Sequence, residues 1–147
     1  MQKTEIRPAT LADAQALVAL MEQLGYPTTA PELEQRLKNI FAQDNYQTLV
    51  AVCDGHVVGM IGLCVRLQYE ANDPYGQIMA LVVAQEYRGQ RIGARLVAEA
   101  ERWLQDHRAG RILVNSANTR HATHRFYERL GYQATGVRFV KALFQQI

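Results

Sequence analysis

Between Leu81 and Leu96 an apolar run, Leu81-Val82-Val83-Ala84, gives way to a turn rich in glycine and arginine, Arg88-Gly89-Gln90-Arg91. A helix-period pattern follows, with Ile92, Leu96, Ala100 and Trp103 on one stripe. This order predicts a strand ending near Val83 and a helix beginning between Arg88 and Gln90. The first turn of a helix leaves several backbone N–H groups without an intrahelical acceptor, and the helix dipole places partial positive charge there. Gly89 and Gly93 let an anion approach the backbone, and Arg88, Arg91 and Arg95 add full charges. The segment therefore reads as a site for a phosphorylated ligand.

Two well-known phosphate loops do not fit. The spacing from Gly89 to Gly93 is too short for G-x-x-x-x-G-K-[ST], and no Lys-Ser/Thr pair follows. The G-x-G-x-x-G dinucleotide fingerprint fails because only these two glycines are present. The segment instead resembles motif A of the GNAT acetyltransferase superfamily, with Leu81, Val83, Tyr87, Arg88, Gly89, Ile92 and Gly93 at matching positions. Gln85 stands where proline is common. Arg91 stands at the first motif glycine, where a negative φ would keep its N–H available. About thirty residues on, Phe126-Tyr127-Glu128-Arg129-Leu130-Gly131-Tyr132 resembles the C-terminal F-Y-x-x-x-G-[FY] motif of the same family, with strand-like Ile112-Leu113-Val114 between the two motifs.

The chain's 147 residues suit one domain, and 48% hydrophobic with 20% charged residues gives enough apolar side chain for a full core. A net charge of +2 points neither to nucleic acid nor to an acidic metabolite. No apolar run approaches the roughly 18 residues that span a membrane. Glu5 and Arg7 interrupt any signal-like start, so a cytoplasmic place is expected by default. No His/Cys/Asp/Glu cluster has metal-ligand spacing. If Asp54-Gly55 is a two-residue hairpin turn, Cys53 lies opposite His56. Cys64 is then about 27 Å along the strand, too far for a disulfide, and both thiols are expected free and buried.

Along the chain, a short strand near Ile6 precedes a capping-box-like Thr10-Leu11-Ala12-Asp13. Leu17, Leu20, Met21 and Leu24 then recur at helical spacing up to Gly25. Pro31 opens a second helix carrying Leu33, Leu37, Ile40 and Phe41. Thr48–Val52 and Val57–Leu67 flank the Asp54-Gly55 turn as a hairpin. Gln77–Val83 is the strand before motif A, whose helix runs to about His107. Arg111–Ser116 is the next strand, residues 119 to 130 the next helix, and Val137–Phe144 a last strand.

The pattern by itself supports a mixed α/β (α+β) chain. The resemblance implies the GNAT fold: one domain over residues 1–147, a mostly antiparallel mixed sheet with helices on both faces, and a splayed strand pair that admits the pantetheine arm. It also implies acetyl-CoA as co-substrate. The backbone of Leu81, Val82 and Val83 would pair with the pantetheine amides. The pyrophosphate would sit on Arg88, Gly89, Gln90, Arg91, Ile92, Gly93 and Ala94, with Asn118 and Arg120 beside the cofactor. A homodimer would fit the family's habits.

Acetyl transfer from a thioester needs a neutral amine, a polarised carbonyl and a departing thiolate. A lysine-like amine is neutral at pH 7 in a fraction of roughly 10⁻³ to 10⁻⁴, equivalent to about 4–5 kcal/mol. The thiolate benefits from a nearby acid, and Tyr127 in the second motif is the candidate, because a phenol is protonated at pH 7. Phe126 is expected to pack in the core. No general base stands out: Gln77 occupies the strand position where some family members carry a glutamate, and Glu70, Asp73, His56, His121 and His124 are the other candidates. The loops 25–30 and 68–76 would shape the acceptor pocket. Tyr26, Tyr69, Tyr75, Glu70 and Asp73 there form an acidic and aromatic mix suited to a cationic amine such as an aminoglycoside or polyamine. The sequence thus points to an acetyl-CoA-dependent N-acetyltransferase acting by direct transfer on a small-molecule, peptide or protein amine. A non-catalytic acyl-CoA-binding module is the alternative. A nucleic-acid-binding domain is disfavoured by the modest charge and by the lack of an aromatic-basic strand motif.

Overall fold

The computed structural model describes residues 3–115 and 121–144. The elements in chain order are β1 (Thr4–Pro8), a 3₁₀ turn (Leu11–Asp13), α1 (Ala14–Leu24), α2 (Ala30–Phe41), β2 (Tyr46–Cys53), β3 (His56–Arg66), β4 (Tyr75–Val83), a second 3₁₀ turn (Gln85–Tyr87), α3 (Ile92–Asp106), β5 (Ile112–Val114) and α4 (His121–Arg129). They form two compact units, Met1–Val114 and Asn115–Ile147.

In the first unit the five strands lie in the order β1-β2-β3-β4-β5. The first three pairings are antiparallel and β4–β5 is parallel. The hairpin turn is where the sequence places it: Asp54 and Gly55 both have positive φ, and Cys53 faces His56. Cys64 pairs with Tyr46 at the far end of the same ladder, so the two buried cysteines are not bonded to each other. Leu49, Val50 and Ala51 are consecutive and all buried, so both faces of the sheet are covered there. A Cβ added to Gly59 would meet Leu96, and one added to Gly76 would meet Leu104, which puts α3 on the face bearing Gly59, Val65 and Gly76. Helix α1 packs on β3 and β4 as well, and its Ala16, Ala19 and Leu20 share a cavity of about 270 Å³ with Val58 and Ala84.

The start of α1 is fixed by an ion pair. Asp13 accepts from Arg7 Nη1 and Nη2 at 2.8 and 2.9 Å and from the Thr10 N–H at 2.8 Å. The capping box is therefore formed, as the spacing predicts. Hydrogen bonding to Arg7, joined by the Thr10 N–H and opposed by burial, holds the Asp13 carboxyl below the usual carboxylate range. A depressed folded-state pKa stabilises above the unfolded value of about 3.9, and that stability is lost as pH falls through the folded value. Asp13→Asn is expected to cost about 2 kcal/mol at pH 7, since Asp13 is buried while Arg7 is half-exposed and screened. Urea titrations at pH 7 and pH 3 test this: the gap from wild type should shrink at the lower pH.

Two expectations about α3 need correction. The motif helix begins at Ile92, not between Arg88 and Gln90: Arg88 is extended, Gly89 has φ +82° and Arg91 φ +65°, none of which a helix interior accepts. On α3 the last buried position is Leu104. Trp103 is half-buried and stacks on His107 with ring centroids 3.8 Å apart.

In the second unit, α4 spans His121–Arg129 and Gly131 follows it with φ +94°. Here Tyr127 is buried and Phe126 half-buried, the reverse of a core Phe126. The expected last strand, Val137–Phe144, is not formed. A strand needs a hydrogen-bonded neighbour, whereas this segment joins no ladder and Val137, Phe139, Val140, Leu143 and Phe144 are exposed.

Candidate active site

The route from β4 into α3 determines which backbone groups are open. Ala84 N–H donates to Val58 O at 2.8 Å, so Ala84 belongs to a hydrogen-bonded antiparallel pair with β3. Antiparallel pairs alternate, so Val82 also directs its N–H and C=O to β3, whereas Leu81 and Val83 direct theirs to the opposite edge. On that edge β5 pairs only with Gly76, Gln77 and Ile78. Beyond Ile78, β4 has no strand partner on this side among the described residues. The ladder with β3 also skips from Gly62–Ala80 to Leu63–Ile78, leaving Met79 as a bulged residue at the root of the open edge.

The open edge leads into a positively polarised turn. Arg91 is the N-cap of α3, and the first helical bond runs from Arg95 N–H to Arg91 O at 3.1 Å. The N–H groups of Ile92, Gly93 and Ala94 thus precede the ladder. The first turn of α3 carries no acidic residue that would neutralise this end. Gly89, at φ +82°, takes a conformation that L side chains rarely adopt. Arg91 takes one too, so the expectation of a negative φ there is overturned: it occupies the left-handed region that the motif's glycine enters without strain.

Two tethers hold the turn. Arg88 Nε donates to Val83 O at 3.0 Å, which occupies part of that carbonyl and fixes the guanidinium beside the open edge. Gln85 N–H donates to Gln23 Oε1 on α1 at 2.9 Å. Proline at position 85 would have no N–H to satisfy, so the departure from the motif carries its own partner. The sequence named neither tether, nor the Met79 bulge. The one sign of the Gln23 tether in the sequence is Gln85 itself, which carries an N–H where the motif's proline has none.

The site residues expected from sequence divide into groups. Leu81, Val82, Val83, Arg88, Gly89, Gln90, Arg91, Ile92, Gly93 and Ala94 form one continuous stretch of the first unit. Tyr127 lies on α4 of the second unit, with ring centroids 5.1 Å from Phe126 and 5.4 Å from Tyr132. Asn118 and Arg120 lie outside the described residues. In the loop 67–74, Glu70 approaches Arg111 Nη2 at 3.8 Å and Gln68 accepts from the same nitrogen at 3.2 Å. Tyr26 and Tyr69 are exposed. Gln77 accepts from Arg66 Nη1 at 2.9 Å. A cavity of about 580 Å³ lies at the foot of β3 and β4, lined by Asn45, Val65, Arg66, Leu67, Pro74 and His107.

The sequence model described as the Acetyltransferase (GNAT) family matches residues 13–132. The aminoalkylphosphonate N-acetyltransferase of Salmonella typhimurium is 34% identical, the match covering 97% of this chain and 94% of that protein. A GNAT family acetyltransferase from Staphylococcus aureus is similar in structure, with a TM-score of 0.83 and 31% identity over 97% of this chain and 100% of that one. An aminoglycoside N-acetyltransferase solved in complex with CoA shares the fold at a TM-score of 0.87 and 17% identity, over 98% of this chain and 97% of that one.

Proposed function

The chain belongs to the acetyltransferase (GNAT) family of acyltransferases, and on that premise we propose that it transfers the acetyl group of acetyl-CoA directly to the primary amine of a small molecule within a ternary complex. The observation that carries this is the continuity of the open β4 edge with the N-terminus of α3. Leu81 and Val83 offer backbone groups for the pantetheine amides in the manner of an added strand, and the N–H groups of residues 91–94 offer donors for the pyrophosphate. Val82, turned to β3, contributes its buried side chain to the sheet. The thioester would then reach the Met79 bulge. There the amine nitrogen attacks the carbonyl carbon and the C–S bond breaks. Tyr127 donates its proton to the sulfur, and the amine's surplus proton, relayed through water, restores the phenol. CoA bound to a structural relative and the N-acetyltransferase name of the 34% identical protein support the same reaction. No helix among the described residues is long and apolar enough to cross a membrane. Two buried cysteines that are not bonded to each other fit a reducing, cytoplasmic setting.

Calorimetric titration with acetyl-CoA, followed by thiol release across a panel of amines, tests the proposal. Binding with release on one amine class is expected. Binding without release on any amine would favour a non-catalytic acyl-CoA-binding module, and no binding would overturn the assignment of residues 88–94.

Arg91 gives a sharper check. A left-handed L-residue is strained by about 1–2 kcal/mol, which glycine relieves while adding about 0.5–1 kcal/mol of unfolded-state entropy. Arg91→Gly is therefore expected to stabilise the fold by about 0.5 kcal/mol, while loss of one phosphate-facing charge weakens acetyl-CoA binding about fivefold. Arg91→Ala should weaken binding equally without the gain in Tm. Unchanged affinity in both variants would remove Arg91 from the phosphate site.

A further inference from the structure

On the acetyl-transfer reading, Arg66 falls on the acceptor side, and among the described residues no acid is paired with it. Side chains alternate along β3, and a Cβ on Gly59 would face α3, so the set Met60, Gly62, Cys64 and Arg66 lies on the opposite face. Gln77 pairs with Cys64 and shares that face. Gln77 is also the middle residue of the three that β4 pairs with β5, two positions before the bulged Met79. A thioester lying along Leu81 and Val83, with its phosphates at α3, brings its carbonyl to this root. The acceptor amine must therefore arrive within one or two residues of Gln77.

The guanidinium held at that point donates to a neutral amide, Gln77 Oε1, at 2.9 Å. Among the described residues no carboxylate lies within ion-pair distance of Arg66. The other arginine at this end, Arg111, faces Glu70 at 3.8 Å. That contact also offsets Glu70, one of the two loop carboxylates that favoured a cationic acceptor. An uncompensated arginine repels a second ammonium group and binds a phosphonate, sulfonate or carboxylate through paired N–H donors. It also lowers the pKa of a nearby ammonium, which enlarges the neutral fraction in a site where no general base stands out.

We propose that Arg66, fixed by Gln77, receives an anionic group carried a few bonds from the acceptor amine, so that the substrate is a short amino-anion of the aminoalkylphosphonate type rather than a polycation. This rests on the acetyl-transfer function proposed above.

The test is steady-state thiol release with acetyl-CoA and four two-carbon amines: 2-aminoethylphosphonate, 2-aminoethanesulfonate, ethanolamine and 1,2-diaminoethane. Wild type should prefer the phosphonate over ethanolamine by about 30-fold or more in kcat/KM, with the diamine poorest. Arg66→Gln should reduce the phosphonate-to-ethanolamine ratio by about 30-fold, chiefly through KM for the phosphonate, and Arg66→Lys should restore part of it. A purely structural role would lower all four amines together and leave the ratio unchanged, which overturns the proposal. Wild-type preference for the diamine or ethanolamine also overturns it, as does turnover of none of the four while acetyl-CoA binds. Failure to bind acetyl-CoA is the separate result that removes the acetyltransferase function itself.

Discussion

Tyr127→Phe is expected to lower kcat with acetyl-CoA by about 100-fold, the lower end of what a positioned general acid supplies, while the affinity for acetyl-CoA stays within about twofold. The substitution keeps the ring. Tyr127 is only 7% exposed, and its edge-on contact with the Phe126 ring and tilted contact with the Tyr132 ring are contacts of the ring that Phe retains. The backbone around it is fixed independently, since its carbonyl accepts from Leu130 N–H and Tyr132 N–H, both at 3.0 Å. The chemical reason for the loss is specific. A thiolate whose conjugate acid has a pKa near 8.5 leaves from the tetrahedral intermediate more readily when a phenol hands it a proton. Replacing the natural donor by an acetyl thioester of an aromatic thiol, with a much lower pKa, should therefore close most of the gap between Phe and Tyr. The measurement is kcat with both donors. Loss of rate that does not depend on the leaving group would mean that the hydroxyl positions rather than protonates. No loss with acetyl-CoA would remove Tyr127 from the chemistry.

What the sequence showed and what it hid follow from the range of the interactions involved. The hairpin at Asp54-Gly55, the capping box at Thr10 and Asp13 and the helix stop at Gly25 are local devices. Each is written in two to four adjacent residues, and each formed where the pattern placed it. The family motif was legible for the same reason, since Tyr87 to Ala94 is one turn and the start of one helix. The features that shape the site are pairings across long separations. Arg66 meets Gln77 across a hairpin, Gln85 reaches Gln23 across 62 positions, and the Met79 bulge exists only in the register between β3 and β4. No periodicity announces such contacts. Motif A also promised a helix beginning inside the glycine–arginine turn. The positive φ of Gly89 and Arg91 delays it to Ile92, because backbone torsion depends on what the turn must connect. The expected final strand failed on the same account: the apolar residues of Val137–Phe144 describe a segment able to pair, and pairing requires a neighbour.

Gly76→Ala is the stability change expected to be largest, about 3 kcal/mol, because it overpacks a core position that cannot yield. A Cβ there would lie 2.9 Å from Leu104 Cγ and closer still to both δ-carbons. Leu104 is 2% exposed, so its branch has no open space to turn into. Gly76 cannot retreat either, since its N–H donates to Arg111 O at 2.8 Å and it is the first residue of β4 paired to β5. The three pairs from Gly76 to Ile78 are the whole β4–β5 pairing among the described residues and form the root of the open edge. Pushing β4 from α3 at that root should therefore also raise KM for acetyl-CoA under conditions where the variant remains folded. Leu104→Ala alone removes a buried leucine and should cost about 2–5 kcal/mol. In the double variant the new methyl enters the space the leucine vacates. The combined loss in urea unfolding should then fall short of the sum of the two single losses by at least about 1 kcal/mol. Additive losses would mean that the clash is relieved elsewhere, and that the close approach of β4 to α3 at Gly76 does not set the strand's position.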